Sequence, residues 1–334
     1  MTVQVLKAGI LSTLQDLGRY GYQRYGVPVG GVMDEWSHRL ANLLVGNAES
    51  EATLECTLTG PSLAFGRTHL IAICGADLSP TIDAIPVPQG RPVLVRAGAR
   101  LDFGERKSGA RAYLGISGGF LATPVMQSKS TFLRGAFGGF HGRALRKADV
   151  LEIGASDAQY CYPQLDKLFD TSDTPFAAPG WSVIPPTAIG SPQPLRVMAG
   201  QQWDAFSKQA QTLFCKTAYR ITPQSDRMGY RIEGASLALR KPLEMISEAV
   251  GFGTIQIPRD GNPIILMADR QTTGGYPKIA QVASVDLPLL AQMLPPERLC
   301  FSVISLEVAQ QLCQVREQEL QRLRHSINQL KREK

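Results

Sequence analysis

Short apolar runs closed off by glycine or proline recur along this chain: Ser62-Leu-Ala-Phe65, His69-Leu-Ile-Ala-Ile-Cys74, Val93-Leu-Val-Arg96, Ala112-Tyr-Leu-Gly-Ile116, Leu195-Arg-Val-Met198 and Gly253-Thr-Ile-Gln-Ile-Pro258. Each has strand length and several carry β-branched residues, so the body of the protein is predicted to be mainly β. Helix signals are few: Asp34 to Val45 behind an aspartate cap, Gln202 to Leu213, and a short stretch from Leu287 to Met293. Strands that do not alternate with helices point to barrels or sandwiches rather than a doubly wound sheet. The 32 glycines and 22 prolines in 334 residues fit many tight turns.

That length suits two compact units. Residues 171–194 hold six prolines and little periodicity, which predicts the linker there. The expected division is 1–190 and 191–305, followed by a charged helical tail, 306–334, with Val308, Leu312, Val315, Leu320, Leu323, Ile327 and Leu330 near one stripe. Such a helix either docks or self-associates, or it stays solvated and frays. A faint echo crosses the linker: Arg19-Tyr-Gly-Tyr22 against Arg227-Met-Gly-Tyr230, and Gly60-Pro-Ser-Leu-Ala64 against Gly234-Ala-Ser-Leu-Ala238. It suggests two related β units, or coincidence.

The net charge of +6, partly carried by the tail, gives no strong case for nucleic acid. Six dispersed cysteines without a C-x-x-C pair, and four scattered histidines, indicate neither a disulfide framework nor a metal site. No apolar run approaches the length of a membrane span or signal peptide, so a cytoplasmic protein is expected. Both G-x-x-x-x-G-K-[ST] and G-x-G-x-x-G are absent, and Ser128-Lys-Ser-Thr131 imitates only the end of a phosphate loop.

Polar residues crowd into four places. In Gln15-Asp-Leu-Gly-Arg19, Asp16 and Arg19 border a glycine that lets backbone approach a ligand. Gly26-Val-Pro-Val-Gly-Gly-Val-Met-Asp34 reads as a double-glycine turn leading into a helix start, either an anion site or simply a capped helix. Ser225-Asp-Arg-Met-Gly-Tyr-Arg231 sets Arg227 and Arg231 around Gly229, suited to a carboxylate or phosphate fork or to a surface ion-pair cluster. Asp269-Arg-Gln-Thr-Thr-Gly-Gly-Tyr-Pro-Lys278 follows the apolar run 263–268. A hairpin would need Gly274 and Gly275 but not Gln271, Thr272, Thr273, Tyr276 and Lys278 as well, so the composition favours an anion or oxyanion pocket.

These motifs, with Glu55-Cys-Thr-Leu-Thr-Gly-Pro61, Leu133-Arg-Gly-Ala-Phe-Gly-Gly-Phe140 and Leu266-Met-Ala268, together resemble the allophanate hydrolase subunit 2-like, biotin-dependent carboxyltransferase family, in its 5-oxoprolinase (KipA-like) branch, over about residues 3 to 305. The resemblance implies two cyclophilin-like β-barrel units and a small-molecule substrate, and its partners would be two further 5-oxoprolinase subunits, one B-like (KipI-like) and one A-like. It implies ATP-dependent opening of 5-oxoproline to glutamate, with ATP and Mg2+ used by the assembled complex and no membrane or nucleic-acid role. Relatives in urea metabolism act on carboxybiotin; this chain has no Met-Lys-Met acceptor, so biotin would not be covalently attached to it. The alternatives are a carboxyltransferase component of a urea or amide carboxylase, and a regulatory binding protein of a kinase inhibitor. On the leading reading the catalytic residues are Asp16, Arg227, Asp269 and Lys278. Arg19, Arg231, Gln271, Thr272, Thr273, Gly274, Gly275 and Tyr276 bind substrate, and no metal is ligated by this chain.

Overall fold

A computed structural model describes residues 1–155, 162–171, 173–183 and 193–331. The protein is mostly β, and its chain divides into two compact units: Met1–Gly18, Asp34–Ile189 and Glu319–Lys334 in the first, Arg19–Met33 and Gly190–Gln318 in the second. The segment Arg19–Met33 thus packs in the second unit, although it precedes most of the first in sequence. Much of the predicted linker, at 172 and 184–192, lies outside the described residues.

The first unit contains two six-stranded sheets. One runs Val150–Glu152, Thr2–Lys7, Ser62–Phe65, Arg100–Phe103, Pro80–Ile82, Ile85–Pro86; the other runs Phe176–Ala177, Pro92–Val95, His69–Asp77, Ser108–Ile116, Thr53–Thr57, Leu11–Gln15. Val5, Leu54, Ile71, Ile73, Val93, Leu101 and Leu114 are among the side chains fully buried in its core. Helix α1, Glu35–Val45, packs on the strands His69–Asp77 and Ser108–Ile116. The Asp34 carboxylate caps it, accepting from the Ser37 amide at 3.0 Å and from Ser37 Oγ at 2.7 Å. Helix α2, Pro163–Thr171, was not anticipated.

In the second unit eight strands follow the order Arg298–Leu299, Tyr219–Ile221, Gly229–Glu233, Ile264–Leu266, Thr254–Gln256, Lys278–Val282, Leu195–Ala199, Phe301–Val303. The two outermost strands are consecutive in the chain, separated only by Cys300, so the sheet curls until its edges meet in a nearly closed barrel. Phe301 stacks on Phe214 with ring centroids 4.4 Å apart, inside a core shared with Tyr219, Ile255, Ile265 and Ile279. The helix expected at 202–213 is a 3-10 turn, Trp203–Ala205, followed by α3, Lys208–Lys216. Ser207 sets the later start by capping the Ala210 amide at 3.0 Å. Helix α4 covers Leu287–Ala291.

The tail forms α5, Leu306–Leu330. Its first turns belong to the second unit, where Arg316 Nη1 donates to the Ser284 carbonyl at 2.8 Å. Its last turns belong to the first unit: Leu320 and Ile327 are buried, Arg324 pairs with Glu49, and Lys331 Nζ lies 5.8 Å from the Tyr162 ring centroid. Val308 and Val315 face solvent, so the apolar stripe is covered only over part of its length.

The sequence echo has no structural counterpart. Both R-x-G-Y copies lie in the second unit, Gly21 in a loop and Gly229 in a strand. Of the other pair, Ser62-Leu-Ala is strand whereas 236–238 is irregular.

Candidate active site

The second unit brings several predicted residues together. Arg227 and Asp269 form a two-pronged pair, Nε to Oδ2 at 2.9 Å and Nη2 to Oδ1 at 3.0 Å, both side chains 7% exposed. Arg227 Nη2 also donates to the Gly31 carbonyl at 2.6 Å, so the pair grips the double-glycine turn. Gly30 and Gly31 hold φ of 65° and 89°, the left-handed region that favours glycine. A β-carbon on Gly30 would lie 3.0 Å from Arg19 Nη1 and 3.7 Å from Asp269 Oδ1, which places buried Arg19 beside the same carboxylate. The Asp269 amide donates to the Arg227 carbonyl at 2.8 Å and the Met267 amide to that of Met228 at 3.0 Å; these bonds fix the two segments.

Arg231 does not join Arg227 in a fork. Tyr230 and Ile232 point into the core, and strand alternation turns Arg231 outward to solvent. Neighbouring Arg270, not among the predicted residues, lies with its guanidinium 5.9 Å from the Phe252 ring; burial pulls it below its ordinary basicity while Tyr20 and Asp269 act against that.

Lys278 belongs to a second cluster. Although only 9% of its side chain is exposed, Nζ donates to Glu248 Oε2 at 2.6 Å and to Gln201 Oε1 at 3.1 Å. Its amide donates to Gln202 Oε1 at 3.1 Å. Thr273–Gly274 is neither a hairpin turn nor an open loop; it pairs with Glu248–Ala249 in a two-stranded ribbon, reinforced by the Val250 amide on the Thr272 carbonyl at 3.1 Å. Gln271 and Thr272 are half-buried, whereas Thr273, Gly275 and Tyr276 are exposed. Gln256 was missed by sequence reasoning, although a polar residue in the apolar strand Gly253 to Pro258 is a legible signal. Glu248 was missed as well, since nothing in the sequence ties it to Lys278.

Asp16 lies in the first unit and is fully engaged. Its Oδ1 accepts from Ser128 Oγ at 2.7 Å, Ser130 Oγ at 2.5 Å and the Gly18 amide at 2.8 Å, and its Oδ2 accepts from the Lys129 amide at 2.6 Å. Ser128-Lys-Ser130, which mimics a phosphate loop in sequence, is the clamp on this carboxylate. In the same unit His38 Nδ1 lies 2.8 Å from Thr53 Oγ1, and burial lowers its pKa to about 4 against the opposing charges of Asp16 and Glu55. Burial likewise pushes the Tyr113 phenol well up, with Glu55 and Asp34 adding to it, and its hydroxyl donates to Glu55 Oε2 at 2.9 Å. The later part of the motif 133–140, Ala136 to Phe140, lines a separate cleft of about 420 Å³ in this unit, with Leu121 and Glu152 on its wall.

Fold and motifs define a carboxyltransferase-type protein: residues 25–303 match the family described as "Carboxyltransferase domain, subdomain A and B", and the chain belongs to that family. It is 35% identical to the 5-oxoprolinase C subunit of Haemophilus influenzae over 98% of this chain and 99% of that one, and 33% identical to the 5-oxoprolinase C subunit of Escherichia coli over 92% and 93%. The crystal structure of the Kluyveromyces lactis urea carboxylase superposes on 96% of this chain and 29% of that one, with a TM-score of 0.84 at 29% identity. No helix among the described residues is long and apolar enough to cross a membrane.

Proposed function

We propose that this chain is the C-type subunit of a cytoplasmic, ATP-dependent 5-oxoprolinase, active only with A-like and B-like partner subunits. The observation that carries this reading is the end-to-end match to the C-type 5-oxoprolinase relatives, 99% of the Haemophilus influenzae protein's length, against the smaller share of the urea carboxylase.

A lactam carbonyl resists attack because its nitrogen donates into it. With ATP and Mg2+ held in the assembled complex, the lactam oxygen would take a phosphoryl group and ADP would leave; one water would then add to the carbonyl carbon and the C–N bond would break with a proton going to nitrogen, and a second water would release phosphate from the resulting acyl phosphate. The residues of this chain bind and orient the lactam. Lys278 is the cation best placed to meet a ligand oxygen, because its partner Glu248 is 45% exposed and able to swing away. The hydroxyls and amides of Thr272, Thr273, Gly274 and Gly275 contact the lactam carbonyl oxygen as charge develops there, Gln271 orients the amide and Tyr276 flanks the entrance. Arg227 and Asp269, already mutually bonded, hold the glycine turn and Arg19 in place. Asp16 shapes the first unit, and Arg231 reaches the partner or substrate from the outer face.

In a complex reconstituted with the A-like and B-like subunits, ATP consumption should depend on 5-oxoproline, and this chain alone should be inactive. Joint replacement of Thr272, Thr273 and Lys278 by alanine should lower turnover by about a hundredfold or more. Equal turnover by that variant overturns the site; ATP use indifferent to 5-oxoproline overturns the substrate.

The urea carboxylase superposition favours a second reading, carboxyl transfer from a biotinylated partner to urea or a related amide. It requires bicarbonate and the biotinylated protein, and it is excluded if the reconstituted complex opens 5-oxoproline without either.

A further inference from the structure

Four residues of the second unit close a ring. Gln256 and Lys278 are cross-strand partners, directly opposite one another where the pairing is bulged, so their side chains share a face of the sheet. Lys278 bonds Glu248, Glu248 is the register partner of Gly274, and Gly274 lies against Gln256. Gly274 leaves room for that amide: a β-carbon there would stand 2.5 Å from Gln256 Nε2.

Gln256 is 1% exposed, and its Nε2 has no hydrogen-bond partner among the described residues. A buried donor left unmade is costly, and such exceptions call for a function. Thr254 on the same strand shows the ordinary solution, its hydroxyl donating to Gln281 Oε1 at 2.8 Å. Beside the unmet amide stands a buried ammonium whose carboxylate partner is nearly half exposed and carried on a ribbon only two residues wide on each side. An ammonium has three donors, and those of Lys278 make two bonds, to Glu248 and Gln201.

We propose that Gln256 and Lys278 form a subsite for the carboxylate of a small oxo-acid or lactam acid, and that Glu248 is its internal stand-in. With no ligand Glu248 holds the ammonium; an incoming carboxylate takes its place and also accepts from Gln256 Nε2, which Glu248 leaves unmet. In the 5-oxoprolinase reading, on which the choice of ligand rests, this subsite grips the substrate carboxylate and leaves the lactam carbonyl to the chemistry.

The test is a ligand-observed NMR titration of the full chain with 5-oxoproline, with 2-pyrrolidinone, which has the lactam but no carboxylate, and with succinate, which has carboxylates but no lactam. Glu248→Gln removes the competing anion and should tighten 5-oxoproline and succinate several-fold while leaving 2-pyrrolidinone unchanged; misfolding cannot produce a gain. Gln256→Met keeps shape without the donor and should weaken both carboxylates roughly ten- to hundredfold. Gly274→Ala, which crowds the amide, should do the same. If succinate follows this pattern and 5-oxoproline does not bind, the subsite stands and the substrate reading falls. If carboxylates fail to bind, or Glu248→Gln leaves them unchanged, the subsite is overturned.

Discussion

Arg227 and Asp269, 42 residues apart in sequence, meet as a buried two-pronged ion pair, with the spare Nη2 contact going to the Gly31 carbonyl. Removing one partner strands the other charge without water, so Arg227→Ala and Asp269→Ala should each cost about 3–5 kcal/mol in urea unfolding. The joint replacement Arg227→Met with Asp269→Leu should recover part of that, because neither member of the pair is stranded, while buried Arg19 beside the lost carboxylate keeps the recovery incomplete. Additive losses in the double variant would contradict the pairing.

The fork shows what was legible beforehand and what was not. Asp269 and Arg227 both stood out by composition, and so did the glycines they hold, but the sequence could not say that the two charges would face each other rather than a ligand. Pairing across 42 residues is set by the strands Gly229–Glu233 and Ile264–Leu266 lying side by side. Local signals fared better: the Asp34 cap, the α1 pattern and the strand-length runs lie within a few residues of what they determine. Gln256 and Glu248 show the converse, a relationship that exists only once a ribbon folds over a sheet. Arg231 escaped because its outward turn depends on which face of its strand the barrel buries.

Asp16→Ala should destabilise the protein rather than selectively abolish a chemical step. Four donors converge on that carboxylate, among them buried Ser128 and Ser130. Stranding them should cost about 3 kcal/mol or more in urea unfolding, whereas Asp16→Asn, which keeps an acceptor, should cost less. If Asp16→Asn matches wild type in stability but loses turnover in the reconstituted complex, Asp16 is a general base after all.

Stability should fall with acid through His38 and His69. Burial lowers both from 6.5 to about 4, so between those values the unfolded chain binds protons that the folded chain refuses. Their contribution is fully present above pH 6.5 and is lost as the pH falls toward 4, with each histidine adding a slope of up to about 1.4 kcal/mol per pH unit. Unfolding free energies from pH 7 to pH 4.5 should show this decline, and His38→Gln should flatten it. An unchanged slope in that variant would mean that His38 is already protonated in the folded protein.

Helix α5 separates a docked helix from a solvated one within its own sequence. Leu320 and Ile327 are each 2% exposed, against 60% for Val315, though all three belong to the same apolar stripe. Truncation of either buried side chain to alanine removes its packing and leaves a cavity, at about 2–5 kcal/mol each; Val315→Ala should lie within about 0.5 kcal/mol of wild type. Because Arg324 pairs with Glu49 beside them, Arg324→Ala should cost a smaller amount, about 1 kcal/mol or less for so exposed a side chain. Urea unfolding of the four variants orders these effects. Equal, small losses at Leu320 and Val315 would show that the last turns of α5 stand free in solution, and the contacts that Ile327 and Arg324 make within the first unit would then be transient.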